Sequence, residues 1–181
     1  MNDDFVTLYS FDRWANSTML DACRKLSPEQ YAAEPIPGWP PVRFTIYHLA
    51  AVTDTWVRGL VYDPDQSFPA EAEVPTPDAA AKMLDRAYRN LDKLLPSLTS
   101  ERLMTPQNFL CGGQVVVAPP WAVLRHVINH ATYHRGQIAS KLKRFGIQLP
   151  DTDLIDWVIA ESACTHYSPK AAMACGPATH S

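Results

Sequence analysis

The sequence predicts an all-α protein: a four-helix bundle with a short fifth helix and a small β-hairpin in one connecting loop. Three observations predict it. The 16 prolines, set against 7 glycines, leave five helix-sized windows free of proline, at 1–27, 42–63, 78–95, 121–149 and 151–168. Proline breaks helix interiors, so its positions act as punctuation. Inside the windows apolar residues recur at three- and four-residue spacing, which makes one buried stripe per helix. The third observation is compositional: 46% hydrophobic and 19% charged residues with a net charge of −3 over 181 residues suit one packed core and exclude wholesale disorder.

The first window carries Leu8, Phe11, Ala15, Met19, Ala22 and Leu26, and ends at Ser27-Pro28-Glu29-Gln30, a capping box that opens a short extra turn. The second carries Ile46, Leu49, Val52, Trp56 and Leu60. The third carries Ala80, Leu84, Ala87, Leu91, Leu94 and Leu98 behind Thr76-Pro77-Asp78, a cap, a proline at the first helical position and an early acid. Residues 104–118 read as a hairpin, with Gln114-Val115-Val116-Val117 following a Cys111-Gly112-Gly113 turn. The fourth helix is the longest, from about Pro119 to Phe145, with Gly146 as its stop. Asp151-Thr152 caps a fifth helix to about Ala163. The connections differ in character: 31–41 is rich in Pro and Trp, and 62–77 is acidic and Pro-rich. From Tyr167 on no periodicity is visible, so the chain is expected to form a bundle domain over 1–165 and an irregular tail over 166–181.

The same composition excludes several functions. A slight acidic excess argues against a nucleic-acid surface. The nearest basic cluster, Lys141, Lys143 and Arg144, ends a helix, where cations complement the macrodipole. No run approaches the ~20 apolar residues that span a bilayer. Met1-Asn2-Asp3-Asp4 is acidic and unlike a signal-peptide start. The four cysteines, Cys23, Cys111, Cys164 and Cys175, form no CxxC pair, which suits a reduced, cytoplasmic protein. Cys111 reads as an ordinary turn cysteine, since nothing near it lowers a thiol pKa.

The histidines carry the chemistry. Three of the six, His126, His130 and His134, recur every four residues in the fourth helix, one above another on its face. Two neighbours can close on one metal ion. Three cannot, because eight residues span ~12 Å, whereas a metal–nitrogen bond is only ~2 Å. Leu124, Ala131 and Leu142 fix the apolar direction of that helix; His134 lies nearest it, His130 next and His126 furthest, toward the rim. The inward pair is therefore His130 and His134, and another helix must complete the site. His48 qualifies, because it sits in the apolar run Ile46-Tyr47-His48-Leu49-Ala50-Ala51, where an unpartnered imidazole is costly. Polar core histidines are the alternative. No Glu follows His130, so the HExxH protease pattern is absent. A His48/His130/His134 triad is the ligand count of an open catalytic site, and imidazole suits Zn, Ni, Fe and Cu alike. Gly136, inside the same helix at a cost of ~1 kcal/mol, suggests a close approach of another backbone or of the metal site. Arg135 and Gln137 are expected either to orient neighbours and stitch helices or to lie on the surface.

At these residues the chain resembles the DinB/YfiT-like family of metalloenzymes, over roughly residues 5–160. The features are Tyr9 with Trp14-Ala15-Asn16, then Leu26-Ser27-Pro28-Glu29-Gln30, Tyr47-His48-Leu49, and His126-Val127-Ile128-Asn129-His130. They end with Tyr133-His134-Arg135-Gly136-Gln137-Ile138, Gly146 and Asp153-Leu154. The resemblance implies an up-down-down-up bundle, commonly a homodimer, whose metal-binding histidines fall on His48, His130 and His134. It also implies, for part of the family, S-transferase or isomerase chemistry with a low-molecular-weight thiol such as mycothiol or bacillithiol. It implies no DNA chemistry.

Three readings of function stay open at this stage. The first is a metal-dependent transferase, isomerase or hydrolase acting on a small molecule, in which a divalent ion (Zn, Ni or Fe) lowers the pKa of a water or thiol and segments 31–41 and 104–118 shape the mouth. The second is a non-catalytic metal-binding stress-response protein. The third is a bundle without metal. No general base is evident: Asp54 points off the His48 face, and Asp54, Tyr47 and Tyr133 read as structural.

Overall fold

Proline and capping chemistry set the helix boundaries in the computed structural model, which describes residues 2–166. α1 (Asn2–Cys23) is followed by the single-turn α2 (Pro28–Ala32), where Ser27 and Gln30 form the expected capping box. α3 is Val42–Leu60 and α4 is Pro77–Leu94, the latter capped by the Thr76 side chain on the Ala79 N–H. Pro96 cannot continue α4, so the chain tightens into a 3-10 turn at Leu95–Ser97 and Leu98 falls beyond the helix rather than in it. The one-turn α5 (Ser100–Met104), capped by Thr99, has too short an apolar pattern to stand out in the sequence. β1 (Gln107–Cys111) and β2 (Gln114–Ala118) pair antiparallel, with Phe109 opposite Val116. Gly112 and Gly113, at φ +58° and +78°, form the two-residue turn between them, a conformation that glycine adopts without penalty. α6 is Pro120–Arg144, and Gly146 at φ +74° ends it.

The chain divides into two compact units at Leu149/Pro150. The second unit contains α7 (Leu154–His166), which starts on Asp153, whose carbonyl accepts from the Trp157 N–H, and not on the expected Asp151-Thr152 cap. The tail from 167, with Cys175, lies outside the described residues, as do the side chains of Cys111 and Cys164. Cys23 is a buried free thiol whose pKa burial pushes up to about 12. No helix among the described residues is long and apolar enough to cross a membrane.

In the first unit, cross-helix pairs give the direction of every long helix. The Tyr9 hydroxyl donates to the Leu124 carbonyl at 2.8 Å, and Arg135 reaches Asp12 and Asn16, so α1 and α6 run parallel. Arg24 pairs with Asp78 and Arg13 with Asp92, so α4 runs against α1. Trp56 meets His126, His48 meets His130, and Thr45 meets Lys141, so α3 runs against α6. The course is up-down-down-up, with neighbours in the order α1, α4, α3, α6 around the bundle.

Parallel neighbours cannot be joined by a tight turn. The connection Val61–Thr76 therefore travels back along α3, about 28 Å at 1.5 Å per residue. Arg58 donates to the carbonyls of Asp65 and Ser67, and Tyr47 donates to that of Pro69 at 2.9 Å, which lashes the segment to the helix it retraces.

The core is apolar, with Phe5, Met19, Ile46, Leu49, Leu91, Leu124 and Leu142 almost wholly buried. The expected close approach at Gly136 is absent: that residue is exposed and a Cβ there meets nothing within 4 Å. The close approach is at Gly59, where a Cβ lands 2.6 Å from Cδ1 of Phe109, so the hairpin seats on α3 through a glycine. Two substitutions separate the cases. Gly59→Ala is expected to cost ~1–3 kcal/mol by overpacking, whereas Gly136→Ala is expected to stabilise by up to ~1 kcal/mol. Denaturant midpoints of the two variants check both signs.

Candidate metal centre

The seam between α3 and α6 carries the histidines. Running antiparallel, the two helices pair Trp56 with His126 at one end, His48 with His130 and His134 in the middle, and Thr45 with Lys141 at the other end. Nε2 of His130 lies 3.2 Å from Nε2 of His48 and 3.1 Å from Nε2 of His134. One ligand atom from each of the three falls within 4.8 Å of the others, a group that can hold a metal ion. His126 is exposed and lies outside the group, with its ring centre 5.6 Å from that of His130.

The donor set fits a first-row divalent ion on its geometry. Bonds of ~2.0–2.1 Å at tetrahedral angles put nitrogens about 3.3 Å apart, close to the spacing found. Protonation agrees. Oε1 of Gln137 accepts from Nδ1 of His134 at 2.8 Å, which places that ring's proton on Nδ1 and leaves Nε2 a lone pair. His130 Nε2 lies between two other ring nitrogens, while its buried Nδ1 has no hydrogen-bond partner among the described residues. Nε2 of His134 thus faces the other two ring nitrogens with a lone pair.

Electrostatics hold the rings neutral. Burial, then repulsion from His134, His48 and His126, pulls the His130 pKa down to about 3. Burial also lowers His48, and lowers His134 against the opposing pull of Gln137. Neutral imidazole is the form that ligates.

Of the remaining candidates, Arg135 stitches helices. Its guanidinium donates to Asp12 Oδ1 at 2.7 Å, to Asn16 Oδ1 at 3.0 Å and to Thr132 Oγ1 at 2.8 Å, while Tyr88 of α4 donates to Asp12 Oδ2 at 2.9 Å. Asp54 is wholly buried and both its oxygens are held by Arg86, with Arg58 sharing Oδ2. Asp54 and Tyr47 are therefore structural. The Tyr133 ring is exposed, with its centre 5.1 Å from that of His134.

Aromatic rings flank the histidines on both sides. Phe44, exposed, stacks on His48 with ring centres 6.4 Å apart and 10° between planes. Phe68 packs on Tyr47, which packs on Phe44, so segment 62–77, read from sequence only as a loop, reaches the site. The hairpin reaches it from the other side through Phe109, Trp56 and His126. Lys141 departs from expectation: Lys143 and Arg144 are exposed as a helix end requires, but Lys141 is buried with its ammonium on Oγ1 of Thr45. The sequence held a signal for it, since position 141 is seven residues after His134 and shares its face.

Comparison with known proteins agrees with this architecture. Protein DinB of Bacillus subtilis (strain 168) is 27% identical over 161 residues, which span 84% of this chain and 92% of that protein. The crystal structure of a DinB-like protein from Bacillus cereus ATCC 10987 superposes with a TM-score of 0.65 at 20% identity, covering 82% of this chain and 95% of that one. That of a DinB-like protein from Bacillus subtilis gives 0.56 at 12% identity, covering 81% and 97%, a likeness of fold. The DinB family model matches residues 1–162, a span that takes in all three converging histidines, and the chain belongs to the DinB family.

Proposed function

We propose that this chain binds one divalent metal ion through Nε2 of His48, His130 and His134 and works as a metal-dependent enzyme on a small molecule, of S-transferase, isomerase or hydrolase type. The observation that carries the reading is the convergence of three neutral ring nitrogens at ligand spacing, one of them fixed in its tautomer by Gln137. Three protein ligands leave a coordination position for water, thiol or substrate. A divalent ion held there supplies Lewis acidity, which makes a nucleophile available at neutral pH.

The chain's own residues do the rest. Gln137 holds His134 in the ligating tautomer, and the two helices set the spacing of the three rings. Phe44 and Tyr133, both exposed, offer flat apolar surface beside His48 and His134. No buried carboxylate reaches the histidines among those described, since Asp12 and Asp54 are both committed to arginines. Neither of these aspartates is therefore free to act as a general base at the histidines.

Three measurements test the reading. Tag-free protein is expected to hold about one equivalent of divalent metal, and His130→Ala less than ~0.2; wild-type protein free of metal after incubation with Zn, Ni and Fe salts overturns the proposal. Gln137→Ala is expected to weaken metal affinity by about 10–100-fold while the metal-free protein keeps its melting temperature. The third is pH-dependent. With a His130 pKa of about 3 in the fold against an ordinary 6.5, the unfolded chain binds a proton between those values that the native protein does not. Stability of the metal-free protein therefore falls as pH drops through that range, and denaturant midpoints are expected to fall more steeply for wild type than for His130→Asn.

A further inference from the structure

Three cationic side chains are buried among the described residues: Arg58, Arg135 and Lys141, at 6%, 3% and 3% exposure. The fold neutralises two of them. Arg58 sits on Asp54 and Arg135 on Asp12, at 2.8 and 2.7 Å. For Lys141 no carboxylate among the described residues lies within ion-pair distance; its ammonium donates to Oγ1 of Thr45, a neutral hydroxyl that itself donates to the Pro41 carbonyl. An ammonium carries three N–H donors, and burying its charge without a counter-ion is unfavourable.

The position of this cation gives it a use. Lys141 follows His134 by seven residues, within ~20° of two full turns, and helix side chains lean toward the N-terminus, so its ammonium reaches back toward the histidines. Thr45, which holds it, lies one turn before His48 on the facing helix. Neutral imidazoles leave the charge of a divalent ion uncompensated, so ion and ammonium together would place three positive charges in the seam, and both buried aspartates are engaged elsewhere.

We infer that Lys141 recognises a carboxylate on the small molecule taken by the three-histidine site, so that the site selects ligands carrying a metal-binding atom and a carboxylate a few bonds apart. This rests on the metal-site reading above. A planar, singly charged carboxylate matches the one ammonium with its two remaining N–H groups, and its other oxygen edge stays free to face the ion.

The test uses the full chain loaded with Co(II), whose visible spectrum reports ligand binding without any turnover. The probes are 3-mercaptopropionate and its methyl ester, which share a thiol and differ in charge. Wild type is expected to bind the acid at least about tenfold more tightly than the ester. Lys141→Met is expected to reduce that ratio to within about twofold at unchanged Co(II) stoichiometry, and Lys141→Arg to retain most of it. Lys141→Gln gives the same reading should the methionine variant fail to fold. Equal binding of acid and ester by cobalt-loaded wild type, or a preference that survives Lys141→Met and Lys141→Gln, overturns this inference and leaves the metal site standing. Failure of wild type to take up Co(II) overturns the metal site and this inference with it.

Discussion

The buried ion pair between Asp12 and Arg135 is the constraint on which the site depends. Arg135 neighbours His134 in sequence, and successive helical residues point about 100° apart. Once Arg135 is bound to Asp12 and Asn16 on α1, with Tyr88 of α4 closing the network, the rotation and height of α6 are set and His134 has to face α3. α3 is held in the same manner. Asp54 lies six residues after His48, roughly a third of a turn away from it in direction, and its arginine partners tie α3 to α4 and to the returning segment 61–76. Each helix that carries histidines is thus clamped by an aspartate on the side away from them. A lone buried charge is costly, so neither clamp slides without exposing one.

Those clamps resolve an otherwise unfavourable arrangement. Three imidazoles packed nitrogen to nitrogen gain little from one another, and His130 leaves Nδ1 unsatisfied as well. The strain is local and the support is distant, a common division in binding sites, where precise placement of polar groups is supplied by packing elsewhere. The neutral state of the rings follows from the same placement, because burial and mutual repulsion act together.

Much of this was legible in the sequence, and the exceptions share a cause. Proline positions and caps located α1, α3, α4 and α6, because helix termini are governed by local chemistry. The Gly112-Gly113 turn fixed the hairpin for the same reason. The three histidines could be brought together from spacing and burial direction alone. The other tertiary pairings were not legible. A buried arginine and an exposed one look identical in a periodic pattern, so Arg58, Arg86 and the role of Asn16 were invisible, and Lys141 passed as a helix-end cation. The two helical glycines invert for this reason too: Gly136 drew notice from its neighbours in sequence, whereas Gly59 matters through Phe109, fifty residues away.

The separation of the ligands along the chain has a consequence for biosynthesis. His48 and His130 are 82 residues apart. At ordinary elongation rates His48 leaves the ribosome roughly 4–16 s before its partners. During that interval the growing chain offers a lone imidazole, and the three ring nitrogens meet only when α6 docks against an already emerged α3. On the metal-site reading proposed above, an ion is then taken by the finished fold rather than captured by a ligand set during translation.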